Sequence, residues 1–332
     1  MATVVRLFTA DKGTISLFGN NVPFWGYSSG FGSPQFPGPL IEAREGDNIR
    51  VILFNTVGGF GEPVSIIFPG QQNVMKRNVP GGAIEPVQPR YSEGVLESLT
   101  DYLGPEDFGL EYRFQAARPG IFLYESGTSP EKQVQMGFYG PMVIWPAGQN
   151  IPFHPNYKTA YGAGTGSNYD VYKILVLGEV DTAMHSAASP GVYFNMLNFK
   201  PDAWTVNGRS YPDTLAGDNT STQPYGSGIS CQAGERVLLR IINAGFQNHT
   251  FYFGGLTGRV VAEDSYPLAT PAGDATYEKA GITLGSGQSA DVIITPTTPG
   301  EHLLYDREYS HLVNHDQFPG GMMTRLTVGV SP

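Results

Sequence analysis

Apolar and polar positions alternate along short runs of this chain, and two of the runs share one pattern. Residues 46–55 read GDNIRVILFN and residues 234–243 read GERVLLRIIN. Each is Gly, acid, any residue, then aliphatics at every second position, closing on Asn. A period of two marks a strand with one buried face. The acid belongs to the turn before the strand and the Asn to its end, where such side chains bond nearby backbone. Further on, PGIFLY (119–124) matches PGEHLLY (299–305). Each then runs through a polar loop to a last strand, GPMVIWP (140–146) and GMMTRLTVG (321–329). The same segments in the same order at similar spacing predict two related β-domains. The weakly periodic stretch 147–169, rich in Gly, Asn and Pro, separates them. The expected organisation is a first domain over 1–150, a linker over 151–169 and a second domain over 170–332, opened by the apolar strand DVYKILVLGEVD (170–181). Helix signals are few; SLTDYLGPEDFG (98–109) is expected to hold one short turn.

Composition sharpens this picture. Hydrophobic residues make up 40% and charged residues 15% of the 332 positions, which suits a protein with a large core. Gly (43) and Pro (26) with 12% aromatics point to many turns between strands, an all-β chain. A formal charge of −10 gives no attraction for nucleic acid or an anionic membrane, so neither is an expected partner. No apolar run approaches the ~18 residues that span a bilayer, so no membrane insertion is expected. The single Cys231 excludes an intrachain disulfide and a thiolate cluster. The N-terminal MATVVRLFTADKGTISLFGN reads as a first strand, without the basic and apolar regions of a signal peptide. The chain is either cytosolic or a mature form with a start Met added.

Four segments carry a family resemblance. FPGPLIEAREGDNIRVILFN (36–55) resembles the opening of the first domain in multicopper oxidases and copper nitrite reductases. WTVNGRSYPDT (204–214), GERVLLRIINAGFQNHTFYFGGLTGRVVAEDSYPL (234–268) and PGGMMTRLTV (319–328) resemble three later elements of the same superfamily. The resemblance covers nearly the whole chain. It implies two cupredoxin-like Greek-key β-sandwich domains in tandem, an extracytoplasmic setting (periplasmic, secreted or cell surface), and a homo-oligomer, since related two-domain enzymes are trimers. No residue names a protein partner.

The family holds copper with His-x-His pairs and a Cys flanked by His. Those ligands are mostly missing here. PVSIIFPGQQ (63–72) has no His, and YESGT (124–128) puts Glu125, Ser126 and Gly127 at the second ligand position of the first domain. Side chains in that loop are expected to face solvent or cap backbone. The family's trinuclear cluster takes more imidazoles than the six present: His154, His185, His249, His302, His311 and His315. The second domain keeps more. By the resemblance, His249 falls on the first imidazole ligand, His311 on the later one and Met322 on the axial Met, while Asp306 replaces the Cys. Two imidazoles and a carboxylate are a donor set for Cu(II) or Zn(II), but without a thiolate they make no blue site. The structural alternative is a framework remnant with Asp306 paired to Arg307. The first expectation is no cofactor, with one copper or zinc ion as the alternative; His185 is read into a Ser/Ala-rich loop and Cys231 as a small buried or turn residue. GAGTGS (162–167) lacks the strand-to-helix context of a phosphate loop. Three functions stay open: a binding or structural protein with degenerate copper sites, a mononuclear copper oxidoreductase, and a β-domain subunit of a surface assembly. Whether the chain is an enzyme is not decided by these residues.

Overall fold

The computed structural model describes residues 1–54, 61–147 and 158–330. Asn55, His154 and residues 151–157 of the expected linker lie outside them. The fold is all-β, as expected, and is built twice over. In the first half, Thr3–Leu17 pairs parallel with Asn48–Phe54, which pairs antiparallel with Gly109–Gln115. In the second half, Val171–Val180 pairs parallel with Val237–Asn243, which pairs antiparallel with Ser289–Ile294. The facing sheets repeat in the same way. Gly120–Glu125 is antiparallel to Tyr139–Trp145, which is parallel to Ile41–Arg44. Gly300–Asp306 is antiparallel to Met323–Gly329, which is parallel to Ile229–Gln232. The strands that carry the repeated pattern therefore occupy equivalent places.

Their burial differs, and the reason is packing between the halves. Asn48–Phe54 alternates, with Ile49, Val51 and Leu53 in the core. Each contributes about 1.5–3 kcal/mol by leaving water. Val237–Asn243 is buried at every position, so the expectation of one buried face fails there. Val237, Leu239 and Ile241 face the core of the second sandwich. Leu238 and Ile242 face a third apolar cluster that contains Phe24, Phe36, Tyr139 and Trp145 of the first half. Arg240 lies between them on the same side, fully buried, 4.5 Å over the Trp145 ring and 3.3 Å from Asp291. Residues 158–169 join this junction through the buried Ala160, Tyr161 and Tyr169.

Two short helices stand where loops were expected. Pro130–Met136 fills the polar loop after Gly120–Glu125. Thr182–Ala188 is capped by Asp181, whose side chain accepts the Met184 N–H at 2.9 Å. His185 is therefore helical and fully buried, with ring nitrogens 2.7 Å from the Pro23 carbonyl and 2.9 Å from the Gln135 carbonyl of the first half. Cys231 is buried on Ile229–Gln232, as expected. In 98–109 the chain forms turns and no helix.

Candidate functional site

One end of the second sandwich gathers the residues singled out in the sequence. His249 opens the strand His249–Tyr252, and Asp306 ends Gly300–Asp306. These strands are antiparallel neighbours with Phe251 opposite Asp306. His311 closes the short turn Tyr309–His311. The ligand atoms of His249, Asp306 and His311 all lie within 4.8 Å of one another, and all three residues are buried. Met322 is fully buried beside them; its N–H donates to the His311 carbonyl at 2.9 Å, and its carbonyl accepts the Asp306 N–H at 3.1 Å.

Asp306 is turned inward and not toward Arg307. Arg307 instead reaches the Tyr309 hydroxyl at 2.5 Å and lies over the Tyr252 ring. Asp306 Oδ2 accepts from His249 Nδ1 at 2.7 Å and from His311 Nδ1 at 2.9 Å. Its Oδ1 accepts the backbone N–H groups of Glu308 and Thr250 at 3.1 and 3.3 Å. Burial would raise this carboxyl, but the hydrogen bonds from His249 and His311 outweigh it and hold Asp306 well below the usual carboxylate range.

Two residues that the sequence reading missed complete the site. Glu179, near the end of Val171–Val180, places Oε2 3.1 Å from His249 Nε2. Its Oε1 accepts the N–H groups of Phe246 at 2.6 Å and Gln247 at 3.3 Å. Trp204, directly across the strand pair from Glu179, stacks on His311 at 4.5 Å and 17°. The signal for Glu179 was a lone acid in the apolar run KILVLGEV (173–180). An acid in such a run is either exposed or held by a partner.

The protonation state follows from the partners. A carboxylate only accepts, and both nitrogens of His249 face carboxylates, so this ring donates twice and is an imidazolium. Burial lowers its pKa, but Asp306 and Glu179 more than offset that and raise it to about 9. As placed, the site does not fit copper held in the family's way. Both Nδ1 atoms are engaged by Asp306 at hydrogen-bond distances, and the thiolate that takes soft copper is absent.

The first half shows a different substitution. Ser65, Ser126 and Thr128, in the loops that resemble the ligand loops, are buried and do not face solvent; Ser65 and Ser126 cap backbone, accepting the N–H groups of Gly127 and Thr128 at 3.1 Å each, which is the other alternative expected for this loop. Ser65 Oγ and Thr128 Oγ1 lie 2.8 Å apart, and Ser126 donates to Gln133 Oε1 at 2.7 Å. Gln133, from the helix Pro130–Met136, donates in turn to the Pro63 carbonyl at 2.9 Å. The helix thus supplies the amide that satisfies buried hydroxyls. Of the remaining described imidazoles, His302 faces the Gly254 carbonyl at 3.2 Å and His315 faces Asn20 at 3.4 Å.

Comparison with known proteins agrees with this frame. Laccase-12 of Arabidopsis thaliana is 24% identical over 272 residues, 80% of this chain and 40% of that protein. Dihydrogeodin oxidase of Aspergillus terreus is 24% identical over 268 residues, 78% of this chain and 37% of that protein. The chain spans about two fifths of the length of the curated relatives it matches. A solved blue copper oxidase from Nitrosomonas europaea superposes with a TM-score of 0.72 at 22% identity, covering 99% of this chain and 86% of that one. A copper nitrite reductase from the same organism superposes at 0.66 with 18% identity, covering 98% and 94%. These likenesses establish the cupredoxin-type fold. Residues 21–149 and 170–324 each match the multicopper oxidase family, in the two halves that repeat one another, and the chain therefore belongs to the multicopper oxidase superfamily.

Proposed function

We propose that this chain is a binding or structural protein built on the multicopper oxidase frame, in which a buried charge network stands in for the mononuclear copper. The supporting observation is His249 clamped between two carboxylates, with Nδ1 at 2.7 Å from Asp306 and Nε2 at 3.1 Å from Glu179. A metal entering here must displace a proton from a ring whose pKa is about 9. At neutral pH that costs about 3 kcal/mol before any ligand moves. The hydroxyls and amide in the first half offer no imidazole for oxygen chemistry. An extracytoplasmic location and a homo-oligomer belong to the same proposal and rest on the family. No helix among the described residues is long and apolar enough to cross a membrane.

A second reading rests on the same atoms. Three donors within 4.8 Å become a site for one Cu(II) or Zn(II) if His249 releases its proton. The two readings part in an oxygen-uptake assay. Protein equilibrated with copper and washed is supplied with a phenolic or metal-ion reductant, with a laccase as control. The binding reading predicts uptake no greater than that of the buffer. Turnover that is lost in His249→Gln and His311→Gln would establish an oxidoreductase instead.

A further inference from the structure

A cavity of about 280 Å³ opens where the two halves meet, and none of Glu179, His249, Asp306 and His311 lines it. Arg118, Phe122 and Glu125 line it from the first half, and Ile242, Tyr266 and Gln288 from the second. Its walls are mainly apolar, and two polar groups on it are underemployed. The Arg118 guanidinium lies 3.8 Å from the Tyr266 ring centroid and 5.4 Å from that of Phe122. It donates one hydrogen bond, to the Asp264 carbonyl at 3.3 Å, and its buried Nε has no hydrogen-bond partner among the described residues. The Glu125 carboxyl makes no hydrogen bond or ion pair among the described residues, and burial alone pushes its pKa up to about 7. The other charge on the wall, the Asp264 carboxylate, accepts the Ser289 N–H at 2.9 Å.

Buried polar groups are nearly always partnered, and each exception needs a reason. Here the buried Arg118 Nε is such an exception, and the half-buried Glu125 carboxyl lines the same cavity, the arrangement of a pocket that fixes an apolar ligand with a few polar contacts. We propose that this cavity binds a small carboxylate with an aromatic body. Arg118 takes the carboxylate, Glu125 in its acid form donates the second hydrogen bond, and Phe122 and Ile242 flank the ring. A guanidinium and a neutral carboxylic acid are both donors, so an anion satisfies both and a cation satisfies neither.

The proposal rests on the reading of the chain as a binding protein, but its test addresses a different site from the copper assays, so either can fail alone. The full chain is titrated calorimetrically with phenylacetate, with neutral phenylacetamide and with cationic phenethylamine. Phenylacetate is expected to bind saturably and the other two at least tenfold more weakly. Arg118→Met should weaken phenylacetate about tenfold or more, the range for a hydrogen bond to a charged group. Glu125→Leu should also weaken it, because the second hydrogen-bond donor is lost. The charge series on the unaltered protein does not depend on the variants folding. Absence of saturable phenylacetate binding up to ~10 mM, equal binding of phenethylamine, or unchanged affinity in Arg118→Met would overturn the proposal.

Discussion

His249 carries the chemistry of the site in one ring. Its pKa rises from 6.5 to about 9, a difference of about 3 kcal/mol between its charged and neutral forms. Asp306 moves down through the same hydrogen bond, so the two shifts describe one interaction and are counted once. The sign follows from linkage. A base whose folded pKa is raised contributes its full stability below the unfolded value of 6.5 and loses it as pH rises through 9. The depressed Asp306 contributes above its unfolded value, near 4, and loses that contribution as pH falls further. The stability difference between the native protein and His249→Gln should therefore be greatest from about pH 4 to pH 6.5 and shrink by about 3 kcal/mol toward pH 10. Urea unfolding of both proteins across that range measures it. A difference that stays constant with pH would mean that His249 is not protonated in the fold. The residue types His249, Asp306, His311 and Met322 were legible in the sequence because the loop pattern of the family survives around them. Glu179 and Trp204 were not, because they come from a strand pair far away in the chain. The inward turn of Asp306 was not legible either, because Arg307 stands next to it and offers a simpler partner.

At the scale of elements, the repeat makes a controlled comparison. Gly120 and Gly300 open equivalent strands and share a backbone that L side chains rarely adopt, with φ of +149° and +151°. Their surroundings differ. A Cβ at Gly300 meets nothing within 4 Å, whereas one at Gly120 runs into the Ser265 side chain. Ser265 cannot easily withdraw, since its hydroxyl donates to the Ile121 carbonyl at 2.6 Å. Gly300→Ala should lower the unfolding free energy by the backbone strain alone, about 1–3 kcal/mol. Gly120→Ala should lower it by at least about 1–3 kcal/mol more, the usual cost of overpacking. Denaturant midpoints of the two variants compare them, and equal losses would show that Ser265 makes way for the added methyl at no cost. The strands themselves were easy to read, because alternation marks a half-buried strand. The helices were not. Pro130–Met136 is only seven residues long and starts from Ser129 in a left-handed conformation with no side-chain cap, so no start signal precedes it. Thr182–Ala188 did carry one, since Asp181 is a capping residue three positions before the N–H that it accepts.

For the whole molecule, the junction between halves explains what each half could not. Burial on both faces of Val237–Asn243, the Arg240–Asp291 pair at 3.3 Å and the His185 contacts to Pro23 and Gln135 all belong to it. Sequence patterning reports one face of one strand at a time, so a second covered face looks like a break in the pattern. The same junction borders the Arg118–Glu125 cavity, and in the first half the buried Ser65, Ser126, Thr128 and Gln133 bond one another. The central claim is that Asp306 and Glu179 hold His249 in its protonated form where the family holds copper. Equilibration of the protein with a slight excess of Cu(II) at pH 7, removal of unbound ions, and quantification of copper with electron paramagnetic resonance test this most directly. The account predicts far less than one copper per chain and no nitrogen-coordinated copper signal, while Asp306→Cys gains one copper and an intense thiolate-to-copper absorption. One copper per native chain, with nitrogen couplings that vanish in His249→Gln and His311→Gln, would contradict it.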